Sequence, residues 1–295
     1  MRYAGIIGVL SSIEPSGNEP SEWAEITAFT GDPVVHEYTD SEGSWLALEF
    51  TGSGTVTRTE GRVQGALIGP GGPGATGREW SVGAGGGGAG DWVPFDLTLD
   101  AGTDEVAIGA AGLPNITQET APGTGTPTTW RDLVAIPGGH GGKRGVAAQS
   151  GASGGGIADS NGGANGPASG TGITGNPGGG PRENTSIENP GAGGGGAGSA
   201  GVLGIWAGQY ETSTGGAGGA GITSSLTGSP RVFCAGGRGV GPGDIGGVGQ
   251  SGTFAQAGAD GSGSGGDGGM GYNPPQHTGA GKGGDGNFII RVRVA

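Results

Sequence analysis

The chain has 295 residues, 80 of them Gly and 18 Pro, with a net charge of −13 and a pI near 4.5. So acidic a chain excludes phosphate-driven nucleic-acid binding, which needs clustered Lys and Arg, and no apolar run approaches the ~18 residues of a membrane span. One cysteine, Cys234, leaves no internal disulfide to form.

Pro and Gly together make a third of the residues without a strict Gly-X-Y period, the usual mark of low complexity. Six Trp, six Phe and four Tyr oppose that reading, because they cluster in short β-prone segments. Only 8 glycines fall in residues 1–64 and 72 in residues 65–295; a compositionally ordinary N-terminal segment, 1–43, precedes a β region that opens at 44 and leads into the glycine, so 44–295 reads as one glycine-rich β/polyglycine-II domain.

In chain order, AGIIGVL (4–10) follows an Arg but is too short for a signal peptide and lacks a small-residue cleavage site. SEWAEITAF (21–29) opens on a capping Ser and predicts a short helix; VVHEY (34–38) predicts a strand. SWLALEF (44–50) alternates Trp45, Ala47 and Glu49 against Leu46, Leu48 and Phe50, a period of two. TVTRTE (55–60), RVQGALIG (62–69), WVPFDLTLD (92–100) and DEVAIGAAG (104–112) read as further strands. Beyond residue 114, brief apolar segments interrupt the glycine: WRDLVAI (130–136), GVLGIWA (201–207), PRVFCA (230–235) and NFIIRVRV (287–294). Trp45, Trp130 and Trp206 sit in such segments and are expected in a core, as is Cys234, a small buried hydrophobe. So apolar a final strand needs pairing on its edges, so a sheet should bracket the glycine.

The glycine tracts cannot be helices, where each Gly costs ~1 kcal/mol against Ala, nor ordinary strands, where Gly packs nothing. What remains is the extended threefold conformation, with about three residues per turn and every N–H and C=O pointing outward. Packed side by side, such rods can bond to one another, and only glycine allows the approach. A residue type recurring every third position then lies on one edge. GGHGGK aligns His140 with Lys143, GGAGGA aligns Ala217 with Ala220, GGDGGM aligns Asp267 with Met270, and GKGGDG aligns Lys282 with Asp285 as an ion pair. Those third edges are expected to face out. GAGGGGAG occurs twice, at 83–90 and 191–198, with no side chain beyond a methyl; Gly85, Gly86, Gly87, Gly88 and Gly193, Gly194, Gly195, Gly196 are therefore expected in interior rods. Main-chain bonds alone barely offset the ordering of so much glycine, so sheet layers on either side of the bundle, or a partner chain, are expected. The fold class predicted is mainly β: short β-strands flanking a bundle of polyglycine-II helices, with little or no α-helix.

The early β segment SWLALEF…TVTRTEGRVQGALIG, the following GPGGPG, GAGGGGAG, the VAIG of 106–109, and a closing GGDG before FIIRVRV together resemble the glycine-rich domain of phage tail proteins. Minor tail proteins of actinobacteriophages carry it, and the pattern is similar in kind to the polyglycine-II sandwich at the tip adhesin of T-even-type fibres. Gly283 to Arg291 match its terminal motif, and the resemblance covers residues 45–295. It implies a virion component at the tail tip or fibre, exposed to the medium. Residues 1–40 would dock to other tail proteins, homo-oligomers (trimers, as in fibres) would be usual, and loops would meet a host-surface glycan or protein. The alternatives are a structural tail-tip or decoration subunit with no receptor, and a bacterial surface glycine-repeat protein, against which the missing signal peptide counts.

Candidates for such contact are aromatic and polar residues in glycine-flanked loops: Tyr210 and Glu211 in QYETSTGG (209–216), Tyr272, Asn273 and His277 in MGYNPPQHTG (270–279), and Arg182 and Asn184 in RENTSIEN (182–189). Each could equally cap a turn. No catalytic, cofactor or metal site is expected. Three His and one Cys lack zinc spacing. GSGSG (261–265) has no strand before it to make a nucleophile elbow, HTGAGKGG (277–284) lacks the upstream Gly and following Ser/Thr of a phosphate loop, and GSGGDGGM occurs once where a calcium-binding repeat would recur.

Overall fold

The computed structural model describes residues 23–77, 83–114, 122–143, 146–158, 170–180, 190–205, 213–241, 256–269 and 279–294. Among them there is no helix. Twelve strands run in chain order: β1 (Ile26–Thr30), β2 (Val34–Asp40), β3 (Gly43–Phe50), β4 (Gly54–Arg58), β5 (Gly61–Ile68), β6 (Trp92–Leu99), β7 (Gly102–Ala107), β8 (Thr128–Trp130), β9 (Leu133–Ala135), β10 (Ile222–Ser224), β11 (Arg231–Phe233) and β12 (Asn287–Val294). Two five-stranded sheets, ordered β1-β4-β7-β8-β9 and β2-β3-β12-β5-β6, and a β10-β11 pair account for them all, with antiparallel pairing throughout.

The two large sheets pack face to face on one core. Ile26, Val56, Val106 and Trp130 from the first meet Leu48, Phe50, Val63, Leu67, Phe95, Phe288 and Ile290 from the second. Phe288 stands at its centre, with ring centroids 5.0 Å from Trp130, 5.8 Å from Phe95 and 5.9 Å from Phe50. Strand β12 lies between β3 and β5, so the apolar C-terminal segment has both edges paired. Its Ile289 faces the other way, into a second cluster with Ala66, Ile68, Ala89, Phe233 and Cys234, which joins the sheet to the glycine region.

Three expectations about individual segments are corrected. Residues 21–29 were expected as a helix, but Ile26–Thr30 is β1. Ala24 and Ile26 are buried while Glu25 and Thr27 are exposed, a period of two that the sandwich core imposes over the local cap signal. Residues 130–136 form a hairpin, not one strand: Arg131 adopts φ 54° and the chain turns through Arg131 and Asp132 so that Trp130 pairs with Leu133. In GVLGIWA no strand forms over 201–205: Ile205 makes an isolated two-way bridge with Thr214, and Gly201 and Val202 bond as tract residues; residues 206 and 207, including Trp206, lie outside the described residues. Within the segment 1–43, β1 and β2 each supply an edge strand to a sheet.

The sheets do not lie on either side of the glycine layer. They pack on each other, and the tracts continue from their strand ends. Strand β5 runs into residue 69, β9 into 136 and β11 into 234, while β6, β10 and β12 emerge from tracts ending at 91, 221 and 286. Gly69 N–H donates to Asp91 C=O one step beyond the Ile68–Trp92 pair, so sheet pairing passes directly into tract pairing. The opposite strand ends carry Trp23, the 41–42, 59–60 and 100–101 connections, and Val294. The described chain therefore starts and finishes at the pole away from the glycine.

Candidate functional site

The glycine tracts bond with a step of three. Along 83–91, Gly85, Gly88 and Asp91 donate to Gly142, Gly139 and Ile136; Gly86 and Ala89 donate to Ala192 and Gly195; Gly87 and Gly90 donate to Gly266 and Gly263. Each edge of the rod thus addresses a different neighbour, as a threefold helix requires. Its carbonyls accept in the same rhythm, Asp91, Gly88 and Gly85 from Gly69, Gly72 and Ala75, Ala89 and Gly86 from Ser153 and Gly156, Gly87 and Ala84 from Gly237 and Val240. Six tracts surround it, and each bonds to the next around the ring: Gly138 to Pro70, Gly139 to Ser153, Ala192 to Ile157, Gly191 to Val240, Gly265 to Ala235, Gly266 to Gly72. This is hexagonal packing, with parallel and antiparallel neighbours mixed.

The second octet, with Ala197 half-buried and Gly198 exposed, is enclosed likewise over 191–196. It donates to 234–240, 154–157 and 199–202, and accepts from 86–89, from 179 and from 216–219. A third tract, 153–158, also has six bonded neighbours and is buried throughout; nothing in its sequence singled it out, since Ser153 and Ile157 interrupt the glycine. No Cβ fits at the interior glycines of the two octets. At Gly85, Gly86, Gly87 and Gly88 it would lie 1.9, 2.2, 2.0 and 2.1 Å from the carbonyl oxygens of Gly156, Gly237, Gly72 and Ser153. At Gly193, Gly194, Gly195 and Gly196 it would lie 2.0, 2.0, 2.1 and 2.2 Å from those of Ala217, Gly87, Asn176 and Ala220. The octet's own alanines sit where space opens, Ala84 beside Ala75 and Val240, Ala89 against the sheet cluster.

The expectation that every third edge faces out needs correction. Ala217 and Ala220 are exposed, and Lys282 Nζ lies 2.8 Å from Asp285 at a half-buried edge. His140 and Lys143, however, are buried. The returning tract covers them: Gln149 N–H donates to His140 C=O, and Val146 and Lys143 exchange both main-chain bonds. Asp267 is half-buried, and burial raises its carboxyl above the ordinary value although Arg238 N–H donates to it at 2.8 Å; Met270 lies outside the described residues.

Side chains lock the bundle to the sandwich. Buried Glu49 accepts from Arg231 at 2.7 and 2.8 Å and from Asn287 at 2.7 Å, and His36 Nε2 lies 3.0 Å away. Burial opposes ionisation of Glu49, but the Arg231 and Asn287 hydrogen bonds, the Arg231 charge and His36 outweigh it and hold the carboxyl below its ordinary value. Tyr38 donates to Leu226 C=O, and Ala111 N–H to Asp285. Asp91, at the junction, has its carboxyl raised by burial. Cys234 is fully buried, its thiol pushed up by burial and then by the Asp91 charge, and its Sγ–H points at Asp91 C=O at 3.5 Å.

Among the described residues no group of three His, Cys, Asp or Glu could hold a metal ion, and no helix is long and apolar enough to cross a membrane. Tyr210, Glu211, Tyr272, Asn273, His277, Arg182 and Asn184 all lie outside the described residues. Their described flanks do not scatter. Tracts 69–77, 136–143, 153–158, 234–241 and 264–269 run away from the sheets, and Gly77, Gly83, Gly180, Pro190, Ile205, Ser213, Gly241, Gly269 and Gly279 stand at the far end of the bundle.

A family model for a glycine-rich domain matches residues 49–293. No curated protein and no solved structure matches the chain.

Proposed function

We propose that this chain, which belongs to the glycine-rich domain family, is a structural component of a phage tail, at its tip or fibre, and contacts the host surface with the end of its glycine bundle. The sequence resemblance to phage minor tail proteins supplies the setting. The observation that carries the reading is polarity. The described chain begins and ends at the sandwich pole, and the flanks of 181–189, 206–212 and 270–278 stand at the opposite pole. A strand of eight residues followed by a threefold tract of equal length spans roughly 50 Å. The N-terminal segment then attaches to other tail proteins while the far connections meet a glycan or protein of the cell surface. The scaffold suits the task, since main-chain bonds hold the tracts and leave the far connections free to vary. In this reading the protein is no enzyme and works in the virion, outside the host.

The test is adsorption. Replacing 182–189, 209–212 and 271–278 by Gly-Ser segments in the intact protein is expected to abolish binding of purified protein to host cells while leaving its thermal denaturation unchanged. Unchanged cell binding by a folded triple replacement overturns the contact role and leaves a structural subunit. Absence of the chain from purified tails, probed with antibody, overturns the tail assignment itself.

A further inference from the structure

We infer that one flank of the glycine bundle is a docking wall for a second copy of this chain, laid side by side. Five outer tracts adjoin along this flank: 146–152, 170–175, 176–180, 199–205 and 213–221. Gln149 N–H bonds to His140 at its margin, Ser150 Oγ lies 2.8 Å from Thr171 Oγ1, Gly178 N–H donates to Gly170, Gly201 N–H to Pro177 and Val202 N–H to Ala217. Not one of these residues is charged, in a protein of net charge −13. The bundle's described charges, Asp91, His140, Lys143, Arg238, Asp260, Asp267, Lys282 and Asp285, all fall on the other tracts.

Apolar side chains stand out from the same wall. Ile173 is 67% exposed, Val202 52%, Leu203 42% and Ile205 61%, with exposed Pro177 and Ala217 between and beside them. Single exposed aliphatics are ordinary, but four on tracts of one flank joined by main-chain bonds gather apolar area of the kind that marks an interaction site. The main chain adds a second feature: Leu203 N–H and Ala217 N–H have no partner among the described residues. They sit on tracts whose inward edges bond with a step of three, so another threefold tract at the same spacing matches them.

The occupant follows from charge and period together. Two acidic copies repel over most approaches, and among the described residues this is the flank of the bundle that carries no charge on its tracts. A copy of the same chain also supplies tracts of the right repeat. The proposal stands on this wall alone and holds whether or not the far end touches a host.

The experiment is light-scattering mass measurement on the full chain over a concentration series, at low and high salt. Wild type is expected to pass from one to at least two copies as concentration rises, with the transition at lower concentration in high salt, where repulsion is screened. Leu203→Asp, a change at an exposed side chain, is expected to weaken association at least tenfold. Ala217→Cys is expected to form inter-chain crosslinks with a bis-maleimide, and Ala259→Cys, on the charged side, is not; buried Cys234 stays silent in both. A monomer at every concentration overturns the proposal, as does association that Leu203→Asp leaves unchanged or crosslinking through Ala259→Cys alone.

Discussion

Glycine in the enclosed tracts is required by geometry, not by backbone freedom. None of Gly85 to Gly88 has a positive φ; what excludes a side chain is a carbonyl oxygen about 2 Å from where Cβ would sit. Gly87→Ala is therefore expected to lower stability by about 1–3 kcal/mol or more through overpacking, read as a shift in denaturant midpoint. Gly102→Ala, where nothing lies within 4 Å of the added Cβ, is expected to be near neutral. Equal effects at the two positions would contradict the packing described. Glu49 makes the second residue-scale case. Its folded carboxyl lies below the ordinary value, so it stabilises the fold above that value, and the contribution is lost as pH falls through the lower, folded one. Glu49→Gln is expected to cost about 1–3 kcal/mol at neutral pH, less than a fully buried pair because Arg231 is partly exposed. It is also expected to flatten the acid limb of a stability-against-pH curve.

At the scale of elements, a threefold rod must stay in phase with every neighbour. Inserting one glycine between Gly87 and Gly88 rotates the following edges by a third of a turn and misaligns their bonds. Inserting three restores the phase. The one-residue insertion is expected to be the less stable in a thermal melt, and the reverse order would contradict a period of three. In the sandwich, Phe288→Ala removes the ring at the centre of the aromatic cluster and is expected to cost about 3–5 kcal/mol. Much of this organisation was legible in sequence. The alternation of SWLALEF, the apolar NFIIRVRV and the three-residue spacing in GKGGDG are local patterns with one physical meaning each. What was not legible was non-local. Ile26 becomes a strand residue because Leu48 and Phe50 of the facing sheet share its core; His140 is covered because the chain doubles back through Gln149; Ser153 and Ile157 disguise an enclosed tract. The direction of each tract, parallel or antiparallel, leaves no mark on a sequence of glycine. The aromatic contact candidates lie outside the described residues, so their chemistry still rests on residue type.

For the whole molecule, the sandwich and the bundle are one construction. Strand pairing continues into tract pairing at Gly69 and Asp91, and Glu49, Arg231 and Asn287 tie β3, β11 and β12 across the junction. The apolar core supplies stability that main-chain bonds between glycines do not supply alone, and the bundle carries that rigidity outward to the far connections. Hence loss of the β12 core should loosen the glycine tracts as well as the sheets. The most direct test is amide hydrogen exchange of the intact protein, resolved along 84–91, 153–157 and 191–196. These amides lie in no helix or strand, yet they are expected to exchange as slowly as those of β12. Exchange there at the rate of an unfolded chain, with β12 still protected, would contradict a solid built from bonded glycine rods.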